Sequence, residues 1–243
     1  MDIVWKNPQR NFQVVEDELT HAKADLFLLP EMFPTGFCME AEEIADRTGE
    51  TLAWMKKFSA AKNAAVAGSA SVEENGHYFN RFYFVKPDGS FDFYDKRHLF
   101  SYSGEDQIYT AGSQRKIVEC KGFKILLQVC YDLRFPVFSR NTDGYDIALY
   151  VANWPQARVD AWKHLLKARA IENLSYVFGL NRIGKDGNDL FYEESSLVFG
   201  PDGKEISEKK GNRLSAVFDR SELQKFRQRF QFLKDADRFS IDY

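Results

Sequence analysis

The chain has 243 residues, 44% of them hydrophobic and 28% charged, which excludes bulk disorder and a disulfide-stapled miniprotein. Its 33 Lys and Arg against 36 Asp and Glu leave a formal charge of -3, so the basic footprint of a nucleic-acid binder is missing. Apolar runs such as residues 26–30 and 147–152 fall well short of the ~18 needed to span a bilayer, and no membrane partner is expected.

Residues 1–6 contain no apolar h-region, so no signal peptide is expected. Cys38, Cys120 and Cys130 are odd in number, far apart and form no C-x-x-C pair, which suits a reducing, cytoplasmic setting. The four histidines, His21, His77, His98 and His164, form no H-E-x-x-H motif and no zinc-spaced cluster. No metal site is expected from them.

No repeat, low-complexity tract or linker interrupts the chain, and it is read as one domain over residues 1–243. Asn7-Pro8 reads as N-cap and first helical residue of a helix carrying Phe12, Val15 and Leu19. Residues 25–29 read as a strand buried on both faces, because the apolar run does not alternate. Thr48 opens a second helix with Leu52, Met55 and Phe58 on one stripe, followed by a short strand over residues 64–70.

Residues 78–85 and 91–94 flank Pro87-Asp88-Gly89, which is turn chemistry, so a hairpin is predicted. Residues 116–120 and 123–129 flank Lys121-Gly122 as a second hairpin. A strand over 146–152, a helix over 159–174 with Trp162, Leu165 and Leu166 inward, and a strand over 176–183 follow. Residues 195–199 and 205–207 flank Pro201-Asp202-Gly203 as a third hairpin. The last strand is placed at 214–218, with Ser221 capping a C-terminal helix. Strands crowding the middle with helices around them fit an α/β protein with a two-sheet core covered by helices.

Three reactive side chains stand where an apolar strand ends, which is where sites are built on such scaffolds. Glu31 follows Leu28-Leu29-Pro30; a carboxylate among apolar neighbours is poorly hydrated and suits a general base. The competing reading is a cap or a salt-bridged loop acid. Lys96 lies in Asp95-Lys96-Arg97-His98 and is either a fixed cation beside a reacting carbonyl or part of a solvated charge run. Cys130 leaves the run 125–129 for a polar turn and is either a nucleophile, which needs a base or cation beside it, or an inert core thiol. Cys38 and Cys120 fit the inert alternative.

Taken together, these segments form a pattern. Leu29-Pro30-Glu31-Met32-Phe33, Tyr94-Asp95-Lys96-Arg97-His98-Leu99-Phe100 and Val129-Cys130-Tyr131-Asp132-Leu133-Arg134-Phe135-Pro136 occur in that order. Ala152-Asn153-Trp154-Pro155 and Ala168-Arg169-Ala170-Ile171-Glu172-Asn173 extend it. The chain resembles the nitrilase superfamily of carbon-nitrogen hydrolases over nearly its whole length, and most of all the omega-amidase branch.

The resemblance implies a four-layer αββα sandwich and a catalytic set of Glu31, Lys96 and Cys130, with Glu105 as the matching fourth acid. Glu105 orients Lys96 or Glu31, or else is a surface acid. The implied reaction is hydrolysis of a small terminal carboxamide, such as a 2-oxo acid omega-amide, to carboxylate and ammonia through a Cys thioester. No cofactor or metal is implied; a homodimer is. Tyr131, Asn153, Trp154 and Arg134 are the expected substrate-binding residues. Trp154 has a packing alternative under the Pro155 turn, and Arg134 shares the task of meeting a substrate carboxylate with Arg158 and Arg182 or braces the turn after Cys130. The aromatic tail, Phe226, Phe230, Phe232 and Phe239, docks on a partner or on its own domain.

Three departures stand out. The hydrophobic strand that family members usually carry ahead of the equivalent of Asp2 is not seen, which predicts an open sheet edge and lowered stability. Glu194 stands where a small residue is usual, and either repels an acidic substrate or faces solvent. Phe230-Gln231-Phe232 stands where Pro is common. Three alternatives to the amidase reading remain: a relative acting on N-carbamoyl compounds, nitriles or another small amide; a Cys-His hydrolase with His98 as base; and a catalytically impaired scaffold of the same fold.

Overall fold

A computed structural model describes residues 1–241. Helix α1 (Pro8–Leu19) starts as expected: Asn7 Oδ1 accepts the Arg10 N–H at 3.1 Å and Pro8 sits in the first turn. Strand β1 (Leu26–Leu28) runs parallel to β2 (Ala65–Glu74). After a short α2 (Ala41–Ile44), helix α3 (Glu50–Lys62) begins. Its N-terminus is held not by Thr48 but by Asp46. The Asp46 carboxylate accepts the N–H groups of Thr48, Gly49, Glu50 and Thr51 at 2.8–3.1 Å, and a carboxylate there also faces the positive end of the helix dipole.

Strand β2 is longer than residues 64–70. It turns at Asn75-Gly76, both with positive φ, into β3 (His77–Val85), giving a nine-pair ladder. Strand β4 (Phe91–Asp95) closes this first sheet, order β1-β2-β3-β4. Strand β1 has no second strand neighbour among the described residues. Residues Met1 and Asp2 pair instead with Ile183, across the molecule.

The second sheet follows α4 (Glu105–Ile108). It consists of β5 (Ile117–Cys120), β6 (Phe123–Val129), β7 (Ile147–Ala152), β8 (Tyr176–Asn181) and, beyond the small hairpin β9 (Gly184–Lys185) and β10 (Phe191–Tyr192), β11 (Leu197–Phe199). Its order is β11-β8-β7-β6-β5, with β6, β7 and β8 parallel. Helix α5 (Val159–Asn173) makes the parallel crossover from β7 to β8.

The predicted third hairpin shrinks to β11 and one bridge, Phe199 to Glu205. The predicted last strand moves forward, to β12 (Glu208–Lys210) paired with β13 (Arg213–Ser215). Helix α6 (Arg220–Arg229) is capped by Asp219, whose Oδ1 accepts the Glu222 N–H at 3.0 Å, and not by Ser221.

Alternate residues of each strand explain the layering. Leu26 and Leu28, Ala65 and Ala67, and Phe82 and Phe84 point between the sheets, against Leu127, Val129, Leu149 and Val151. Their neighbours Phe27, Leu29, Val66, Tyr83 and Val85 point outward onto Phe12 and Val15 of α1 and Met55 and Phe58 of α3. On the second sheet, Leu126, Ala148, Tyr150 and Val177 meet Trp162, Leu166 and Ala170 of α5. Gly179 lets α5 lie flush, because a Cβ there would stand 2.3 Å from Leu166 Cδ1. The result is the four-layer αββα sandwich. Within the predicted strand over residues 25–29, Leu26 to Leu29 pack on both faces, as the unbroken apolar run predicts, while Asp25 is exposed and the strand itself is Leu26–Leu28. Leu223 of α6 joins the inter-sheet core, and Arg227 binds Asp146 and the Tyr145 and Leu174 carbonyls, so the start of the tail docks on its own fold. Among the described residues no helix is long and apolar enough to cross a membrane.

Candidate active site

Cys130 stands at the C-terminal end of β6, where the chain breaks into a 3-10 turn over Cys130–Arg134. Its φ is +43°, a left-handed conformation that a non-glycine residue adopts only when its surroundings hold it there. Asp132 does the holding. Its Oδ2 accepts the Val129 N–H at 2.8 Å and the Tyr94 hydroxyl at 2.9 Å, and its Oδ1 accepts the His98 N–H at 3.1 Å. The turn is braced from outside by Arg169, whose Nη2 donates to the Leu133 carbonyl at 2.7 Å. The bracing considered for Arg134 therefore belongs to Arg169.

Glu31, just past β1, is fully buried. Next to it Met32 also has positive φ, 43°, and its N–H donates to Ser69 Oγ at 2.9 Å. Lys96, one residue past β4, is fully buried and is not part of a solvated charge run. Its ammonium donates to Glu31 Oε1 at 2.9 Å and to both Glu105 oxygens at 2.8 and 3.1 Å. Glu105 opens α4 and is also fully buried; its Oε2 takes the Phe100 N–H at 2.6 Å. The surface alternative for Glu105 is thereby removed; Glu31 is a salt-bridged loop acid, as its competing reading has it, but a fully buried one. Burial alone would pull the Lys96 ammonium down, but the Glu105 and Glu31 carboxylates outweigh it and hold it above the ordinary lysine range. Burial raises Glu105, with Lys96 opposing and Glu31 adding to the rise.

Sequence reasoning missed Asn80. Its Nδ2 bridges Glu31 Oε1 at 2.8 Å and Glu105 Oε1 at 3.1 Å, and Ser69 Oγ donates to its Oδ1 at 2.8 Å. One signal was legible: Asn80-Arg81 interrupts an otherwise aromatic stretch of β3. Asn153, at the end of β7, touches the acid from the other sheet. Its N–H donates to Glu31 Oε2 at 2.8 Å and its Nδ2 to the Glu31 carbonyl at 2.6 Å. The Asn153 carbonyl in turn receives Cys130 Sγ at 3.9 Å.

Above Cys130 opens a cavity of about 370 Å³. Tyr131, Arg134, Asn153 and Trp154 all line it, as do Arg158, Trp5, Phe37, Phe100 and Tyr192. Trp154 does both jobs weighed for it: it faces the cavity and it packs 5.3 Å from Trp162, its Nε1 donating to the Arg158 carbonyl. The arginines separate. Arg134 lies 5.0 Å over the Trp154 ring and Arg158 5.3 Å over Phe100, both on the cavity. Arg182 is buried behind it and binds Asp2 and the carbonyls of Ile3, Ile183 and Lys185. Glu194 is exposed and pairs with Lys209 Nζ at 3.3 Å, away from the cavity. His98 turns its Nδ1 to Asp132 Oδ1 at 2.8 Å and stacks on Phe135, and it is not among the residues that line the cavity.

Burial pushes the Cys130 thiol well up, and the Glu31 carboxylate adds to this while Lys96 opposes it. The resting thiol is therefore protonated at neutral pH. A thiol lining the cavity, with a buried carboxylate and a fixed ammonium near enough for both charges to act on it, can perform nucleophilic attack, proton transfer and oxyanion stabilisation on a carbonyl carbon.

The family model described as carbon-nitrogen hydrolase matches residues 1–228. The chain belongs to the carbon-nitrogen hydrolase family. It is 44% identical to the omega-amidase YafV of Yersinia enterocolitica, covering 98% of this chain and 95% of the relative. It is 35% identical to the 2-oxoglutaramate amidase of Bacillus subtilis, covering 85% and 83%. Among solved structures, the carbon-nitrogen hydrolase superfamily protein XC1258 of Xanthomonas campestris superposes with a TM-score of 0.95 at 40% identity, covering 99% and 96% of the two chains. That structure carries an arsenic adduct in its active site. The four-layer fold and the hydrolase class are those of the family, and this carbon-nitrogen hydrolase is an enzyme of the amidase type.

Proposed function

We propose that this hydrolase cleaves the terminal amide of a short dicarboxylic acid, a 2-oxo acid omega-amide, releasing ammonia through a thioester on Cys130. One observation carries the reading. Cys130 lies on the floor of a cavity in front of the Glu31–Lys96 pair, and Arg134 and Arg158 line the same cavity. The first set suits a carbonyl under attack, and the second suits a carboxylate at the far end of the substrate. Relatives named omega-amidase and 2-oxoglutaramate amidase support it.

The chemistry follows from residue types. The Cys130 sulfur attacks the amide carbon as Glu31 takes the thiol proton. Charge that develops on the carbonyl oxygen is met by the Lys96 ammonium and the Tyr131 N–H; each such donor is worth roughly 10²–10³ in rate. Glu31 returns the proton to the nitrogen, the C–N bond breaks and ammonia leaves. Glu31 then takes a proton from water, which adds to the thioester carbon. Collapse breaks the C–S bond, returning the proton to sulfur and freeing the carboxylic acid. Glu105 and Asn80 keep Lys96 and Glu31 in register and act through them. A homodimer in the cytoplasm belongs to this reading, and sedimentation of the purified protein tests the dimer.

The deciding measurement is ammonia release, as kcat/KM, over a panel of omega-amides with and without a distal carboxylate, N-carbamoyl compounds and nitriles. The carboxylate-bearing amides are expected to lead, and Arg134→Ala and Arg158→Ala to raise their KM while leaving carboxylate-free amides little changed. A lead for nitriles or carbamoyl compounds overturns the substrate assignment. No turnover of any of them, with no acyl adduct on Cys130 by mass spectrometry, supports the impaired scaffold.

A further inference from the structure

Trp5 lies outside the sequence motifs and outside the catalytic set, yet its side chain is one wall of the cavity. The backbone on either side of it is pinned. The Val4 N–H and carbonyl bond to the buried Asn11 side chain at 2.8 and 2.7 Å, and the Lys6 N–H donates to the Thr35 carbonyl at 2.9 Å. The same Asn11 Nδ2 reaches the Pro34 carbonyl at 2.7 Å.

The ring itself is clasped by two glycines. A Cβ at Gly36 would stand 2.8 Å from Trp5 Cε3, and one at Gly187 would stand 2.3 Å from Trp5 Nε1. Gly36 immediately precedes Phe37, Cys38 and Met39 of the cavity wall. Gly187 lies between Asp186 and Asn188 of the wall. The indole therefore fills the gap between two wall loops, and both loops have given up a side chain to admit it. A wall that is held at its backbone and approached by a glycine at each end of its ring system does not swing aside when a ligand arrives.

From this we infer that Trp5 is a specificity residue: it restricts the acyl part of the substrate to a slim, unbranched chain. The inference rests on the reading of this cavity as the site of amide hydrolysis. It concerns the width of the substrate and not the group cleaved.

The test uses the full chain with Trp5→Ala, Trp5→Phe and Gly187→Ala. Each is assayed on an unbranched omega-amide and on the same amide bearing a methyl or benzyl branch along its chain. The ratio of kcat/KM, branched over unbranched, is expected to rise at least about tenfold in Trp5→Ala, the scale set by one or more methylenes in an apolar pocket. Trp5→Phe should fall between. Gly187→Ala displaces the indole while leaving every cavity-lining side chain intact, and should change the same ratio several-fold. Ratios equal to wild type in a folded Trp5→Ala overturn the inference; if that variant does not fold, an unchanged ratio in Gly187→Ala overturns it. Should wild type prefer a nitrile or carbamoyl compound, the functional reading fails by itself, and the branched-to-unbranched ratio on that class still decides the role of Trp5.

Discussion

Asn153 grips Glu31 at two points, its N–H reaching Oε2 at 2.8 Å and its Nδ2 the Glu31 carbonyl at 2.6 Å. The two residues are 122 positions apart and come from different sheets. Because the Asn153 carbonyl also receives the Cys130 thiol, one residue sets the base and the nucleophile against each other.

Replacing Asn153 by Ala removes the side-chain half of that grip and keeps the backbone half. We expect kcat to fall about 10–100-fold, the scale of a sub-ångström to 1 Å misplacement of a reacting group. Stability should fall by about 1–3 kcal/mol as well, because the buried Glu31 carbonyl loses its donor. Asn153→Asp should be worse than Asn153→Ala, since it sets a second carboxylate against Glu31. Steady-state kinetics of the two variants decide; a kcat equal to wild type in both removes Asn153 from the positioning of Glu31.

Glu31→Gln separates two effects of one carboxylate. Turnover is lost with the base. The thiol, which burial and the Glu31 charge together hold up, is relieved of the charge while Lys96 still pulls it down. The pH at which Cys130 alkylates half-maximally with iodoacetamide should therefore drop in the variant. In wild type the alkylation rate should still be climbing past about pH 8.5, the ordinary thiol value. A midpoint that rises or stays in Glu31→Gln contradicts the electrostatics assigned here.

Lys96→Met leaves Glu31 and Glu105 buried without their cation. Breaking such a pair costs about 3–5 kcal/mol, read by urea denaturation. The pH dependence has a defined sign. Wild-type Lys96 is held above its unfolded value, so its contribution is complete below about pH 10.4 and declines only as pH rises through the higher folded value. In the variant, Glu105, already raised by burial, loses the opposing ammonium and rises further. A raised carboxyl stabilises at low pH and loses that contribution as pH rises. The stability gap to wild type should narrow from about pH 8 to about pH 5; a gap that widens on acidification refutes the assignment.

Asp132 and His98 touch each other but should not matter equally. Asp132→Ala leaves the Val129 N–H and the Tyr94 O–H proton without their acceptor beneath the nucleophile turn, at about 1–3 kcal/mol for a buried donor left unpaired. Activity should fall with stability. His98→Ala removes a half-buried ring stacked on Phe135 and should keep most of kcat. The reverse ranking in ammonia release would restore His98 as a catalytic base.

Each place where structure and sequence expectation differ has a specific physical source. Thr48 and Ser221 are good cap residues by type, yet Asp46 and Asp219 do the capping, because a carboxylate can accept several helix N–H groups and was passed over two positions upstream. Asn75-Gly76 is a strong hairpin signal that was missed, and with it the full length of β2. Asn80 carried too little local signal, since a single amide in a strand declares nothing until two acids are found around it. Trp5 and Phe37 face the cavity from loops and Tyr192 from the two-residue strand β10, segments whose apolar residues look the same whether they line a pocket or a core.

By itself the sequence determined what depends on neighbours along the chain. The unbroken apolar runs had to be strands covered on both faces, Lys121-Gly122 had to turn, and a carboxylate, an amine and a thiol had to emerge at strand ends. Only the tertiary structure decided what depends on meeting across space. It brought Lys96 to Glu31 over 65 residues, buried Glu105 beside them, aimed Arg134 and Arg158 at the cavity while spending Arg182 on the N-terminal segment, and turned Glu194 to solvent. Short-range backbone preferences are written in adjacent residues. The separation of two side chains on different sheets is set by the packing of everything between them.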